Sequence, residues 1–354
     1  MIFVFLIQFN PLIQNMLFLK RLYSPLLPLS GLLAAAIPAS AAYDFFICAN
    51  VNRDYVIGSN IVTLNGTFKL TESGDWEHFG DNDLSIFSLA FDPRDRDRMY
   101  TATLNGMFHT ENGGETWRMA NSWDMTEGNT VVVDPNEPDT VYLGTTDGIA
   151  VSRDRGYTLE RRENGIQERG RFTQVIQVDR TTAGRVLAGT ASGIYLTEDR
   201  GEVWHRVLPT ATTVNDVRQS PHDPDRWVAV TDTHGAWESN DRGLNWKRIE
   251  GLPREEAIYN ITFDITNPDR LAIGSWSYGV WVSEDGGQTW EARNEGLPDR
   301  HRVWRTGIHP NSGRLYVSVF QSSVFVSDDF GRSWEMDPYL EDGSLVRYFL
   351  SVPR

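Results

Sequence analysis

Short runs of apolar and β-branched residues recur along the chain from residue 43 onward, separated by polar residues, glycines and prolines. Runs of roughly four to eight such residues between turn-forming residues are typical of β-strands. Two representative units contain the runs 130–133, 140–144 and 149–151, and the runs 259–263, 270–273 and 280–282. The pattern predicts an all-β protein with three strands before each polar turn.

A turn motif follows the third run of each unit: Ser or Thr, any residue, Asp or Asn, any residue, Gly, two further residues and a large apolar residue. The last position is Trp in every copy but one, which ends in Leu159. The six full copies are residues 110–117, 152–159, 197–204, 239–246, 283–290 and 327–334, and a shortened copy is 71–76. Consecutive copies end 41 to 45 residues apart, so seven units account for nearly all of the chain after residue 43.

The motif has the chemistry of a hairpin corner. An Asp or Asn side chain can accept hydrogen bonds from the backbone N–H groups of its own turn, and Gly supplies positive φ. The Trp begins a fourth strand and is expected to pack between neighbouring sheets. We name the four strands of a unit A to D in chain order. Four-stranded units of roughly 40 to 45 residues are propeller blades, so the sequence predicts a seven-bladed β-propeller with four-stranded antiparallel blades.

These motifs resemble the Asp-box (BNR) repeats of sialidases, family-74 xyloglucanases, sortilin-type receptors and photosystem II assembly-factor propellers. The resemblance implies that the Asp box lies at the C–D corner, away from the usual binding face. We therefore interpret the Asp or Asn of each full copy as structural, because function must be argued from a site and not from a fold. These residues are Asn112, Asp154, Asp199, Asp241, Asp285 and Asp329.

The two ends of the chain both offer a strand to the first blade. Residues 346–353 resemble the strand A segment 86–93, and they would close the ring by removing two exposed sheet edges. Residues 44–49 compete for the same position, because the spacing from Asn50 to Trp76 equals that from Asp264 to Trp290. We expect residues 43–354 to form a single propeller closed by the C-terminal strand, and the sequence does not exclude the other assignment.

Residues 1–42 have the order of an export signal. Lys20 and Arg21 precede an apolar stretch from Leu26 to Ile37, and the small residues 39–41 follow it. This order predicts a signal peptide, with Met16 as an alternative start, and a secreted or periplasmic protein without stable membrane insertion after signal removal.

Charge and composition exclude several functions. With 33 Lys and Arg against 48 Asp and Glu, the formal charge of −15 repels phosphate backbones, so we predict no nucleic-acid partner. The single cysteine, Cys48, allows neither an internal disulfide nor a cysteine metal site. Phosphate-loop and Gly-x-Ser-x-Gly motifs are missing from the sequence, and we predict no cofactor.

Three carboxylates in one turn are the one candidate for a metal. Asp92, Asp95 and Asp97 could hold a hard cation such as calcium. Related turns recur at 134–139, 220–225 and 264–269, however, which favours a solvated A–B turn. We therefore predict no metal site.

Strand A is normally the innermost strand of a blade, so alternate residues along it face the central channel. One ring is almost entirely apolar and is assigned to the core: Leu89, Val131, Ile176, Val217, Ile261, Thr306 and Phe349. The preceding positions form a first channel ring of Ser88, Thr130, Val175, Asp216, Asn260, Arg305 and Tyr348. A second channel ring consists of Ala90, Val132, Gln177, Arg218, Thr262, Gly307 and Leu350.

The polar members of these rings gather on the arc formed by the last four inner strands: Asp216, Arg218, Asn260, Arg305 and Tyr348. Two guanidinium groups and an acid could hold a carboxylate, a sulfate or sugar hydroxyls, because Arg offers a planar bidentate fork. The alternative is a water-filled channel with a buried ion pair between Asp216 and Arg218.

The B–C loops are expected on the same face as this arc. They contribute Asp147, Asp232, His234, Trp276, Tyr278 and Gln321. Trp276 and Tyr278 are unusual in a turn and could stack on a sugar or anchor a protein partner. The alternative is that the two aromatic side chains pack over the rim of the blade.

Two functions fit these residues. The first is a non-catalytic propeller, similar to the assembly-factor group, that binds a protein segment or glycan through the channel face. Its candidate ligand-binding residues are Arg218, Asn260, Arg305, Asp232, His234, Trp276 and Tyr278. The second is a carbohydrate-active enzyme, either a glycoside hydrolase or a polysaccharide lyase, with catalytic candidates Asp216, Arg305 and Tyr348.

The resemblance itself favours binding over catalysis. Similarity to sialidases implies an Arg triad, a Tyr nucleophile and an Arg-Ile-Pro element in a six-bladed ring, and this sequence has no Arg-Ile-Pro and seven units. Similarity to xyloglucanases implies a cleft between two propellers with one catalytic Asp from each, and only one propeller fits in the sequence.

Overall fold

Seven four-stranded antiparallel sheets make up the part of the chain that the computed structural model describes, which is residues 42–51, 65–80, 86–120, 125–340 and 343–354. Blade 1 contains β1 Tyr43–Asn50, β2 Asn65–Leu70 and β3 Trp76–Phe79, together with the last strand of the chain, β28 Leu345–Pro353. The export signal predicted for residues 1–42 lies, apart from residue 42, outside the described residues.

The other six blades follow one another along the chain. Their strands are β4 Ile86–Asp92, β5 Asp95–Thr103, β6 Gly106–Thr110 and β7 Arg118–Met119 in blade 2; β8 Gly128–Val133, β9 Val141–Thr145, β10 Gly148–Ser152 and β11 Glu160–Arg161 in blade 3; β12 Thr173–Val178, β13 Val186–Thr190, β14 Gly193–Thr197 and β15 His205–Pro209 in blade 4; β16 Val214–Gln219, β17 Trp227–Thr231, β18 Ala236–Ser239 and β19 Lys247–Arg248 in blade 5; β20 Ile258–Phe263, β21 Leu271–Ser275, β22 Gly279–Ser283 and β23 Glu291–Ala292 in blade 6; and β24 Val303–Ile308, β25 Leu315–Val319, β26 Val324–Ser327 and β27 Glu335–Met336 in blade 7.

The inner strands close into a ring. Each contacts the next in the order β4, β8, β12, β16, β20, β24, β28, and β28 returns to β4. Seven apolar clusters fill the spaces between adjacent blades; the one between blades 3 and 4, for example, contains Tyr142, Ile176 and Trp204. The predicted seven-bladed, all-β propeller with four-stranded blades is confirmed.

Blade 1 uses both ends of the chain. Its sheet order is β28, β1, β2, β3, so the C-terminal strand takes the inner position and residues 43–50 lie beside it. Asp44 of β1 is buried and forms ion pairs with Lys69 of β2, with Arg354 at the end of the chain and with Arg96. Since Arg96 belongs to β5, this last pair joins blade 1 to blade 2. Burial opposes ionisation of Asp44, but hydrogen bonds from Arg354 and Lys69 hold the pKa of its carboxyl below the usual value.

Every full Asp box lies between the third and fourth strands of its blade, as the resemblance implies. In blade 6, Oγ of Ser283 accepts the N–H of Gly287 (2.8 Å), and Asp285 accepts the N–H of Thr289 (2.9 Å). Gly287 has φ +91°, and the residue before it, Gly286, also has positive φ. The side-chain bonds and the positive φ together turn the chain through the corner.

The Trp of the motif has two roles. Trp204 and Trp334 donate from Nε1 to a carbonyl of the preceding blade, on Arg162 and Arg293, and both side chains are buried. In the corners that end at 117, 246 and 290, the indole instead donates to the Gly of its own Asp box. The predicted packing between sheets therefore holds most fully in blades 4 and 7.

The ring has two different faces. The Asp-box corners hydrogen-bond to the A–B turns, as in the bond from Arg242 N–H to the carbonyl of Asp225 (2.8 Å), and we call this side the corner face. The B–C loops hydrogen-bond to the segment just before the inner strand, as Trp276 N–H does to Ala257 (2.9 Å), and we call this side the loop face.

The described residues contain one short helical turn, Glu168–Gly170. Within the described ranges, no helix has the length and apolar character needed to cross a membrane.

Candidate functional site

The inner strands carry a β-bulge near the loop face. In β16 the pairing with β17 skips from Val214 to Asp216, and the same irregularity occurs at the start of β4, β8, β12, β20 and β24. A bulge places two consecutive residues against one residue of the partner strand and redirects a side chain. The simple alternation used in the sequence prediction therefore fails at this point.

As a result, a ring one position earlier also lines the channel. A cavity of about 260 Å³ on the loop face, which we call the loop-face cavity, is bordered by both rings. The residues that the alternation missed are Phe87, Asn129, Gln174, Asn215, Trp304 and Arg347. The sequence contains a signal for this extra ring: two consecutive polar or large residues at the start of an inner strand, as in Asn215-Asp216 and Trp304-Arg305. Strict alternation predicts that only one residue of such a pair faces the channel.

Members of the predicted first ring border the channel but several join blades together. Asp216 is buried, with Oδ2 accepting the N–H of Ile261 (3.2 Å) in the next blade. Asn260 accepts the N–H of Thr306 (3.0 Å) and donates to the carbonyl of the same residue (3.0 Å). The polar groups of Asn260 are thus already occupied by the neighbouring inner strand.

The second ring lies where the alternation predicts. Ala90, Val132 and Leu350 line a larger cavity at the corner face, and Thr262 and Gly307 line a side cavity of about 230 Å³. Gly307 lacks a side chain that would otherwise meet Phe349, since an added Cβ would lie 2.5 Å from its ring.

Asp216 and Arg218 form the ion pair that the sequence offered as an alternative to a binding site. Oδ1 of Asp216 lies 2.9 Å from Nε of Arg218, and the guanidinium stands 5.6 Å from the ring centroid of Tyr348. Burial disfavours the charge of Arg218, but the carboxylate of Asp216 outweighs it and raises the pKa of the guanidinium.

Arg305 and Arg347 differ from Arg218 because neither has a carboxylate within 4.0 Å among the described residues. Arg305 donates to the carbonyls of Arg347 (2.9 Å) and Trp304 (2.9 Å), and Arg347 donates to Oδ1 of Asn50 (2.8 Å). Burial lowers the pKa of Arg305 to about 10, and burial also lowers the pKa of Arg347. Both remain cations at neutral pH, since guanidinium groups stay protonated.

An aromatic cluster borders the two arginines on the loop face. Tyr259 packs against Trp304 (4.4 Å between centroids) and against Trp276 (5.6 Å), and Trp276 continues to Phe320 (5.2 Å). The guanidinium of Arg305 stands 4.9 Å from the Trp304 ring. This cation–π contact places Arg305 over the ring of Trp304, and both residues line the loop-face cavity.

The loop candidates occupy different places. Trp276 is half-buried within the aromatic cluster, whereas Tyr278 is 50% exposed. Asp232 and His234 lie half-buried in the B–C loop of blade 5, where His234 Nδ1 is 3.3 Å from the hydroxyl of Thr233. The loop of blade 3 places Asp147 in an ion pair with Arg161 (2.9 Å), and Gln321 accepts from Arg302 (3.4 Å).

The acidic turn of blade 2 is occupied by arginines. Asp92 is fully buried and forms ion pairs with Arg94 (2.9 Å) and Arg98 (3.2 Å). Burial opposes ionisation, but the bonds from Arg94 hold the pKa of Asp92 below its usual value. Over the described residues, no group of three His, Cys, Asp or Glu side chains has an arrangement that could hold a metal ion.

Known proteins share sequence features with this chain. The BNR/Asp-box repeat family matches residues 281–292. A curated relative, the oligoxyloglucan-reducing end-specific xyloglucanase of Emericella nidulans, is 28% identical over 214 residues, which are 49% of this chain and 26% of the relative. The chain thus spans about a quarter of that protein's length.

Solved structures share the fold. The GH74 xyloglucanase of Xanthomonas campestris has a TM-score of 0.62 at 17% identity, covering 77% of this chain and 51% of the other. YCF48 bound to D1 peptide has a TM-score of 0.54 at 18% identity, covering 76% of this chain and 93% of the other. The chain is a seven-bladed β-propeller in which the BNR/Asp-box repeat family matches one corner, residues 281–292, and its fold is similar to those of these proteins.

Proposed function

We propose that this propeller is a non-catalytic binding protein that holds an anionic group of a protein segment or glycan at the loop face of its channel. The observation that carries the proposal is the pair Arg305 and Arg347, two channel guanidiniums without a carboxylate within 4.0 Å among the described residues. Arg305 donates only to backbone carbonyls and feels Asp216 through space without forming an ion pair, so a carboxylate or sulfate would supply a direct partner for its charge.

The aromatic cluster beside these cations supports the same function. Trp304 lines the loop-face cavity and Trp276 is half-buried beside it in the aromatic cluster, so the exposed parts of these rings could contact an apolar side chain or a sugar while the arginines hold the anion. The similar structure of YCF48 was solved with a D1 peptide, and the GH74 proteins are xyloglucanases, so both ligand classes occur on related folds.

A screen of binding and turnover tests the proposal. The purified protein is presented to neutral and acidic glycans and to acidic peptides, beside Arg305→Gln and the control Arg314→Gln, which removes an exposed arginine on the corner face. We expect a ligand that binds wild type and the control but not Arg305→Gln, without product release. Equal binding by Arg305→Gln and wild type would overturn the proposal.

A polysaccharide lyase is the second candidate, because Tyr348 and Arg305 line the same two cavities. A lyase would need a base at Tyr348 and a cation that stabilises the developing charge. This version predicts that acidic polysaccharides yield unsaturated products, measured by ultraviolet absorbance, and that Tyr348→Phe abolishes them while binding persists. Persistent product from Tyr348→Phe would exclude this role of the tyrosine.

A glycoside hydrolase has less support. Such enzymes use two carboxylates roughly 5 to 9.5 Å apart. Among the described residues that line the loop-face and side cavities, Asp216 is the one acid; its Oδ2 accepts the N–H of Ile261, and its Oδ1 forms the ion pair with Arg218.

We also infer that the protein is secreted or periplasmic, from the order of charged, apolar and small residues in 1–42. Fractionation of the native cells tests this. Protein recovered in the cytosol with an intact N-terminus would contradict export.

A further inference from the structure

Two side chains from blades that are not neighbours meet across the channel, about halfway along it. Arg218 comes from blade 5 and Tyr348 from blade 1, and the guanidinium lies 5.6 Å from the tyrosine ring centroid. These two residues are the ones that border both the loop-face cavity and the cavity at the opposite end. Arg218 and Tyr348 therefore lie at the boundary between these two cavities, and the side cavity, which Arg305 also lines, adjoins both of them.

The pocket at the opposite end, which we call the corner-face cavity, has a volume of about 470 Å³. This lies within the range of roughly 300 to 1,000 Å³ that is usual for small-molecule sites. Its walls are mainly apolar, with Val132, Leu350 and Val352 facing the opening and exposed prolines at the rim. A ligand here would bury an apolar body.

The charged residues that line this cavity have one sign. They are Arg180 near the rim and Arg218 at the floor, and none of the described lining residues is Asp or Glu. Asp216 engages Nε of Arg218 from the other side, but the guanidinium has five N–H donors and keeps 29% of its side-chain surface accessible. In a chain with a formal charge of −15, an apolar pocket charged only by arginines selects for an anion.

The two glutamine side chains in the wall already make hydrogen bonds. The amide of Gln219 accepts the N–H of Arg180 (3.0 Å) and donates to Asp179 (3.1 Å) and to the carbonyl of Pro224 (2.9 Å). Gln177 donates to the carbonyl of Val178 (3.1 Å). Because most of the wall is apolar, a ligand with polar groups along its length, such as a peptide or sugar, would leave many of those groups unpaired, which is costly in an apolar site. A plain alkyl chain avoids this cost.

We propose that the corner-face cavity binds a linear aliphatic anion, such as a medium-chain alkyl carboxylate. The head group accepts hydrogen bonds from Arg218 at the floor, and the chain lies along Val132, Leu350 and Val352 towards the rim. The site is distinct from the loop-face cavity and its ligand differs in class from the protein segment or glycan proposed there.

Titration calorimetry of the full protein with decanoate tests the proposal. Acetate carries the head group alone, and decyltrimethylammonium carries the chain with the opposite charge. We expect saturable binding of one decanoate per chain, with both control compounds at least about tenfold weaker, because head and chain both contribute. Decanoate binding no tighter than that of acetate, or tighter binding of the cationic amphiphile, would overturn the proposal.

Three variants locate the bound anion. Arg218→Gln removes the head-group partner, and Val132→Trp fills the cavity while leaving the ion pair with Asp216 in place. Each is expected to weaken decanoate binding by about tenfold or more. Arg347→Gln, which lines the loop-face cavity but neither the side cavity nor the corner-face cavity, is expected to change it by less than about twofold.

Their outcomes separate the two sites. Loss of decanoate binding in Arg347→Gln with no loss in Val132→Trp would place the anion in the loop-face cavity and contradict this inference. The wild-type protein could bind decanoate but no glycan or peptide, and lose decanoate binding in Val132→Trp. That result would support the corner-face site and contradict the proposed function. If Arg218→Gln does not fold, Val132→Trp alone decides the location.

Discussion

At the scale of single residues, the Asp-box side chains define the corners by accepting bonds that the turn would otherwise lack. Asp285 and Asp329 each accept a backbone N–H and a hydroxyl four residues on, and these bonds lower the pKa of both carboxyls to about 2. Blade 2 has Asn112 at the same position, accepting the N–H of Thr116 (3.0 Å). An amide therefore suffices for the geometry, and the charge adds a dependence on pH.

This predicts an acid-sensitive part of the stability. Because the folded pKa of Asp285 lies below the unfolded value of roughly 3.9, its stabilisation is fully present above that value and is lost as the pH falls towards about 2. The melting temperature should therefore fall less steeply between pH 6 and about pH 2 in Asp285→Asn than in wild type. In Asn112→Asp it should fall more steeply. Identical pH profiles for all three proteins would contradict this role of the carboxylate.

Asn260 illustrates a candidate site residue that also has a structural role. Its amide pairs with both the N–H and the carbonyl of Thr306 in the next blade, and it is buried. Asn260→Ala should lower the free energy of unfolding by about 1–3 kcal/mol, because the N–H of Thr306 is left without an acceptor. Asn215→Ala is the matched control, since it removes one bond to the carbonyl of Ile258. Chemical denaturation should show a smaller loss of unfolding free energy in Asn215→Ala than in Asn260→Ala. Equal losses in the two variants would contradict this role of Asn260.

At the scale of strands, the sequence was sufficient for the strand runs and corners but not for the bulges. The ring containing Leu89 and Val217 is buried as predicted except at Phe349, which is half-buried, because alternation counts correctly from the bulge to the end of each inner strand. Trp304 and Arg347 were missed because the bulge adds a residue whose position depends on the pairing with the second strand. The role of residues 43–50 was equally ambiguous, since both ends of the chain have the composition of an inner strand.

The register of the closing strand gives a prediction at this scale. Cys48 of β1 lies opposite Tyr348 of β28, whereas Phe349 lies opposite Ile47. Cα atoms of antiparallel partners are roughly 4.5 to 5.5 Å apart, which is within reach of a disulfide. Under oxidising conditions Tyr348→Cys should cross-link to Cys48, shift its mobility on a non-reducing gel and unfold at a higher temperature. Phe349→Cys should remain uncross-linked; a disulfide in that variant instead would mean a different register.

At the scale of the whole molecule, the distribution of charge separates the channel from the rest of the protein. The chain carries a formal charge of −15, yet the channel holds Arg218, Arg305 and Arg347 against the single lining acid Asp216 among the described residues. Such a local excess of cations in an acidic protein attracts an anion to the channel, where Arg305 donates to backbone carbonyls alone. Binding through these cations should weaken as salt screens the attraction.

A crystal structure of the protein with the tightest ligand of the glycan and peptide panel tests the central claim most directly. We predict that an anionic group of the ligand lies at hydrogen-bond distance, roughly 2.7 to 2.9 Å, from the guanidinium of Arg305 or Arg347 in the loop-face cavity. A ligand bound at the Asp-box corners or on the outer edge of the blades, with the channel arginines uncontacted, would contradict the assignment of the channel as the binding site.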